Sequence, residues 1–194
     1  MFKLTIKLTA ALILLTTGSV ALAHTGHDVS GLAAGLAHPF FGPDHLLAMV
    51  AVGLWAAQRG GRSVWLLPAT FMTMLAAGGG TAMQWQHPLP LIESGIALSV
   101  LALGLLITLS LKFPTAICAA ITALFGLLHG YAHGLELPDS AAPVAYTLGF
   151  LAATALLHLG GIAVGVATRQ RYGALARMAG GIIAMSGIGL LALS

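Results

Sequence analysis

After about residue 30 the sequence runs through six long apolar stretches, each broken by only a few polar side chains. They fall at roughly 31–57, 64–84, 90–111, 114–133, 142–168 and 174–193, and each supplies about the 20 residues that a helix needs to cross hydrocarbon. Lipid offers backbone amides no partner, so such runs must close their hydrogen bonds internally. A β-barrel would need alternating polar and apolar positions, which these continuous Leu, Ala, Val and Gly runs lack. The pattern predicts an all-α fold, a polytopic membrane helix bundle of six transmembrane helices.

The opening segment reads differently. Lys3 and Lys7 precede a short apolar run diluted by Thr9, Thr16, Thr17 and Gly18, and the run closes on Ala21-Leu22-Ala23, a small-x-small cleavage pattern. These are the marks of a secretory signal peptide over residues 1–23, leaving one six-helix domain over 24–194. Cleavage there makes His24 the first residue of the mature chain.

Composition narrows the function classes. Of 194 residues 58% are hydrophobic and 7% charged, where a soluble domain carries roughly 25% charged, so a soluble globular fold is excluded. A net charge of +3 is too small for a nucleic-acid footprint, and the partner surface is the lipid bilayer. One cysteine, Cys118, forms no intrachain disulfide and no CxxC zinc or redox site, and is read as packing. The basic residues of the mature chain, Arg59, Arg62, Lys112, Arg169, Arg171 and Arg177, all fall on one side of the bundle, which the positive-inside rule makes cytoplasmic. Both mature termini then face the periplasm of a bacterial inner membrane. Asp28, Glu136 and Asp139 fall in periplasmic segments, with Asp44 and Glu93 within or beside outer halves of spans.

Small residues give the helices surfaces for close approach: Gly126, Gly130 and Gly134 in the fourth stretch, Gly161 and Gly165 in the fifth, and Ala176, Gly180 and Ala184 in the sixth.

The chemistry sits in two short motifs. AHPFFGPDHLLAM places His38, Asp44 and His45 inside the first stretch beside Pro39, Gly42 and Pro43. A mid-membrane Asp costs roughly 2.5–3.5 kcal/mol on insertion scales, so its presence implies a partner, a cavity or a function. On a regular helix His38 and His45 would share a face about 10 Å apart. The two prolines and Gly42 break the first span and allow His38 to fold toward Asp44 and His45, as discontinuous helices do at ion sites. In LLHGYAHGLELP, His129, His133 and Glu136 line one helix face, a spacing that seats two imidazoles on one metal. Imidazole with carboxylate suits nickel, zinc, copper or iron; calcium and magnesium ask for oxygen cages. The metal ligands expected are His38, Asp44, His45, His129, His133 and Glu136. Additional candidates are His24, with His27 and Asp28, as an outer capture site, Glu93 at the entrance, and His158, which reads equally as a hydrogen-bonded helix contact. His87 reads as a loop residue.

The strings HPFFGPDHLLAMVAVGLWA and LLHGYAHGLE resemble the two signatures of the HupE/UreJ family of bacterial nickel permeases, and the signal peptide, size and six-span layout are similar across the whole chain. The resemblance implies Ni(II), with Co(II) as the second choice, as the transported ion, an association with hydrogenase or urease systems, no resident cofactor and no enzymatic activity. The six residues of the two motifs match the family's metal-handling positions. With no P-loop for nucleotide, the expectation is a metal-ion permease working from periplasm to cytoplasm by facilitated diffusion or proton-linked exchange. Two rival classes are an intramembrane zinc metallohydrolase and a metal-binding accessory or sensor membrane protein.

Overall fold

The computed structural model describes residues 31–138, 141–169 and 173–194. The expected signal peptide, His24, His27, Asp28, Asp139 and Arg171 lie outside the described residues. Within them the chain forms seven helices and no strand: α1 (Gly31–Phe41), α2 (Pro43–Arg59), α3 (Ser63–Trp85), α4 (Ile92–Thr108), α5 (Thr115–Leu135), α6 (Pro143–Arg169) and α7 (Gly173–Leu191). Five are long and apolar enough to cross a membrane, and α1 with α2, bent by 82° at their junction, is apolar enough to make a sixth when the two are taken as one span. This is the helical bundle with a broken first span that the apolar runs predict.

The position of the break follows from backbone chemistry. Pro39 stays inside α1, while Pro43 occupies the first turn of α2, where its missing N–H would have had no helical partner. Gly42 between them is extended, with φ −88° and ψ 113°, as a residue preceding proline prefers to be. Only this one residue interrupts the helix, so His38 and His45 sit on two rods rather than one.

α2 is the axis of the bundle. Ala48, Met49, Ala51, Val52, Trp55, Ala56 and Ala57 are wholly buried in it, whereas α3 to α7 each turn large apolar side chains outward. A helix apolar on all sides is buried or lipid-facing, and the bundle contains both kinds. On α3, Trp65 and Trp85 are both exposed. They stand twenty residues apart, roughly 30 Å along a helix, the spacing of the two interfacial aromatic belts.

Small residues set which helices meet. A Cβ on Gly130 would lie 2.1 Å from the Leu75 carbonyl oxygen, and one on Gly126 2.5 Å from that of Phe71, so the glycine stripe of α5 is spent on α3. A Cβ on Gly161 of α6 would come equally close to the Val50 carbonyl of α2, and one on Gly180 of α7 would lie 2.8 Å from the Ile107 side chain of α4. With its glycines against α3, α5 turns its histidine face toward the broken span.

One end of the bundle gathers the basic groups. Arg59 donates to the Phe113 carbonyl, and Arg177 Nε to that of Thr108 at 2.9 Å. Gln58 of α2 bridges the Ile107 carbonyl and Ser110 Oγ of the α4 end, at 3.0 and 2.9 Å. Glu93 and Glu136, at the first turn of α4 and the end of α5, lie toward the opposite end.

Candidate metal centre

The elbow in the first span brings its two histidines to different levels of α5. His38, on α1, reaches Glu136 with Nε2 3.1 Å from Oε2, and His133 Nδ1 lies 2.5 Å from the same oxygen. His45, in the first turn of α2, faces His133 with ring centroids 4.0 Å apart, and its Nδ1 is 3.4 Å from Nδ1 of His129. Two groups of potential donor atoms result, His38–His133–Glu136 and His45–His129–His133, each with its atoms within 4.8 Å of one another. His133 belongs to both.

Burial grades from one group to the other. The side chains of Glu136 and His38 are 49% and 27% exposed and that of His133 is 8% exposed, while His45 and His129 are wholly buried. Tyr146 and Phe150 of α6 wall the outer group, with ring centroids 5.9 and 5.5 Å from His38. Phe150 also stands 4.7 Å from the His45 ring. A cavity lined by Leu75, Gly130, Tyr146 and Phe150 opens beside His133.

The hydrogen-bond network assigns the tautomers. Ser99 Oγ donates to the Ile96 carbonyl at 2.7 Å, so toward His129 Nε2, 2.8 Å away, it is the acceptor. His129 therefore carries its proton on Nε2 and presents a lone pair at Nδ1, which accepts from His45 Nδ1–H. Glu136 Oε2 accepts from His133 Nδ1–H and His38 Nε2–H, so the short His38–His133 contact joins two donors to one carboxylate. By elimination Nε2 of His45 and Nε2 of His133 carry lone pairs, and both atoms are buried with no hydrogen-bond partner among the described residues. Two unpartnered lone pairs in a dry interior are costly for an apolar core and are the arrangement a cation would relieve.

Glu136, beyond the last turn of α5, is held well below the usual carboxylate range, first by the hydrogen bond from His133 and then by that from His38, against burial, which acts the other way. The outer group thus keeps a fixed negative charge beside two imidazoles.

The other sequence-derived candidates are placed differently. Asp44 joins neither group: its Oδ1 accepts the backbone N–H of His45 at 2.6 Å, one of the donors left free in the first turn of α2. Glu93 is exposed at the start of α4 and joins neither group. His158 is buried on α6 outside both groups. His87 is exposed, and its carbonyl accepts from Tyr131 Oη at 2.7 Å. Cys118 is buried with Sγ 3.8 Å from the Phe113 carbonyl, a packing position. Ser99, Tyr146 and Phe150 were not signalled by the sequence, where one serine in an apolar helix carries no mark of the imidazole it meets.

Comparison with known proteins agrees over nearly the whole chain. The profile of the family described as HupE / UreJ protein matches residues 12–190. A curated relative, Protein HupE of Rhizobium leguminosarum bv. viciae, is 44% identical over 186 residues, covering 95% of this chain and 97% of that one. No solved structure matches the chain significantly.

Proposed function

The chain belongs to the HupE/UreJ family, and on that premise we propose that it is a multi-pass permease of the bacterial inner membrane that carries Ni(II), with Co(II) as the second choice, from periplasm to cytoplasm. The observation that carries the reading is the pair of buried, unpartnered imidazole nitrogens on His45 and His133, backed by His129. Imidazole nitrogens suit borderline divalent ions, and a set without thiolate releases its ion more readily than a cysteine cage. Glu136 with His38 and His133 forms the capture group. The ion arrives at half-exposed Glu136 and displaces the two ring protons that the carboxylate holds, which leave to water or shift to the other ring nitrogen; the freed nitrogens of His38 and His133 replace water, and the ion moves inward to His45 and His129. Each step removes solvent while a new donor replaces it, which avoids the cost of a bare charge in hydrocarbon. Asp44, Glu93 and the N-terminal His24, His27 and Asp28 support this route as a helix-end acceptor, an entrance charge and a capture segment. The basic end of the bundle, with Arg59, Arg62, Lys112 and Arg177, is the cytoplasmic face, by the positive-inside rule.

The test is uptake of radiolabelled nickel, cobalt and zinc by vesicles holding only this protein. Wild-type chain should load nickel in preference to zinc, and His45→Ala, His129→Ala and His133→Ala should each abolish uptake while inserting normally. Uptake at the wild-type rate by all three variants would sink the assignment. Binding without flux by the wild-type chain would make it an accessory or sensor protein instead.

A further inference from the structure

His158 lies in the core with 1% of its surface exposed, and neither Nδ1 nor Nε2 has a hydrogen-bond partner among the described residues. One turn earlier on the same face of α6, Thr154 is wholly buried with its hydroxyl equally unpartnered. Of the two wholly buried helical threonines among the described residues, Thr122 donates to the carbonyl four residues back, as helical threonines commonly do, and Thr154 does not. A histidine retained for packing alone would be expected to spend at least one nitrogen on a neighbour.

The position of the pair gives these unused atoms a meaning. The His158 ring stands perpendicular to Phe71, centroids 5.4 Å apart, and the Phe71 ring also meets that of His129, at 5.7 Å. One aromatic ring thus separates His158 from the inner histidine group. His158 is eleven residues from the arginine-bearing end of its helix, whereas His45 is fourteen from Arg59 and His129 fourteen from Thr115. His158 therefore sits roughly 5 Å nearer that end, while Thr154, fifteen residues from it, is level with His45 and marks the entry side of the pair. Gly53 and His158 fix the crossing of α2 and α6 at this level, since a Cβ on Gly53 would lie 2.1 Å from the His158 carbonyl oxygen.

We propose that Thr154 and His158 form a second, inner station for a divalent transition-metal ion, which the ion reaches past Phe71 after leaving His45, His129 and His133. The inference rests on the permease reading. The station offers one imidazole nitrogen and one hydroxyl oxygen, too few for tight retention, so the ion completes its coordination with water and moves on. Such weak binding is what an exit step requires.

The full chain in vesicles tests this with two variants. His158→Phe keeps a ring against Phe71 but removes both nitrogens, and should slow nickel uptake at least tenfold while Co(II) still binds at the outer histidines, seen by its visible absorption. His158→Cys places a thiolate at the station, and loading with Co(II) should add a sulfur-to-cobalt charge-transfer band absent from wild type, whose own Cys118 serves as the blank. Wild-type uptake by His158→Phe, or no new band in Co(II)-loaded His158→Cys, overturns the station. A wild-type chain that carries neither ion overturns the permease reading itself, and with it any transit role for this pair. Active wild type beside an equally active His158→Phe overturns the inner station alone.

Discussion

Ser99 fixes which nitrogen His129 can offer. Its hydroxyl proton is committed to the Ile96 carbonyl, so the oxygen only accepts from Nε2–H, and the Nδ1 lone pair is turned toward His45. Partners of this kind orient metal-binding imidazoles, and their loss typically costs roughly 10- to 100-fold in affinity or activity. Ser99→Ala should reduce nickel uptake by about that factor with the chain still folded, and Ser99→Thr, which keeps the hydroxyl, should retain most of it. Unchanged uptake in Ser99→Ala would remove the orienting role.

Asp44 offers a test that separates two uses of a carboxylate. Its contact with the His45 N–H stabilises the first turn of α2 and thereby the position of the His45 ring. Losing an acceptor at a helix start costs about 0.5–2 kcal/mol. Asp44→Ala should therefore lower both thermal stability and uptake, and Asp44→Asn, which keeps an acceptor oxygen, should restore stability. If Asn restores stability but uptake stays lost, the charge itself is needed for the ion.

Glu136 sets a pH dependence of stability. Its carboxyl is held below its ordinary value of 4.5 by His133 and His38, so the charged form favours the folded state at every pH above that value, and the contribution fades as pH falls beneath it toward the depressed native value. Glu136→Gln should melt lower than wild type at pH 7, with a gap that narrows on acidification below about 4.5. A gap that widens on acidification would mean that the carboxylate does not favour the fold.

Gly130 and Gly80 form a matched pair for the helix contact. A Cβ on Gly130 meets the Leu75 carbonyl, while one on Gly80 meets nothing within 4 Å. Gly130→Ala should destabilise the bundle by about 1–3 kcal/mol, as other overpacked cores do, and displace His129 and His133 from His45. Gly80→Ala should be neutral in the same melting and uptake measurements.

Much of the architecture was legible because lipid leaves few choices. Runs of about 20 apolar residues could only be helices, and Gly42 beside Pro43 marked the break, since neither continues a helix readily. The i,i+4 spacing of His129 and His133 put both on one face. What the sequence withheld was which faces meet. The glycine stripe of α5 marks a surface for close approach without naming the helix that fills it; that helix is α3, and the imidazoles meet α1 and α2. The break at Gly42 and the two prolines predicts that His38 folds toward Asp44 and His45; it finds His133 and Glu136, ninety-five and ninety-eight residues away, because the elbow lays α1 along α6 with His38 reaching the end of α5. Asp44 could not be told from a ligand by desolvation cost, because the backbone amide that satisfies it leaves no mark in the sequence.

His133 stands in both donor groups, and on the proposed route this would govern traffic. A neutral imidazole has a single lone pair to give, so a second arrival would wait until the ring has let its predecessor go. Passage would then be single-file at this checkpoint, and rate against external concentration should follow a simple hyperbola rather than a sigmoid.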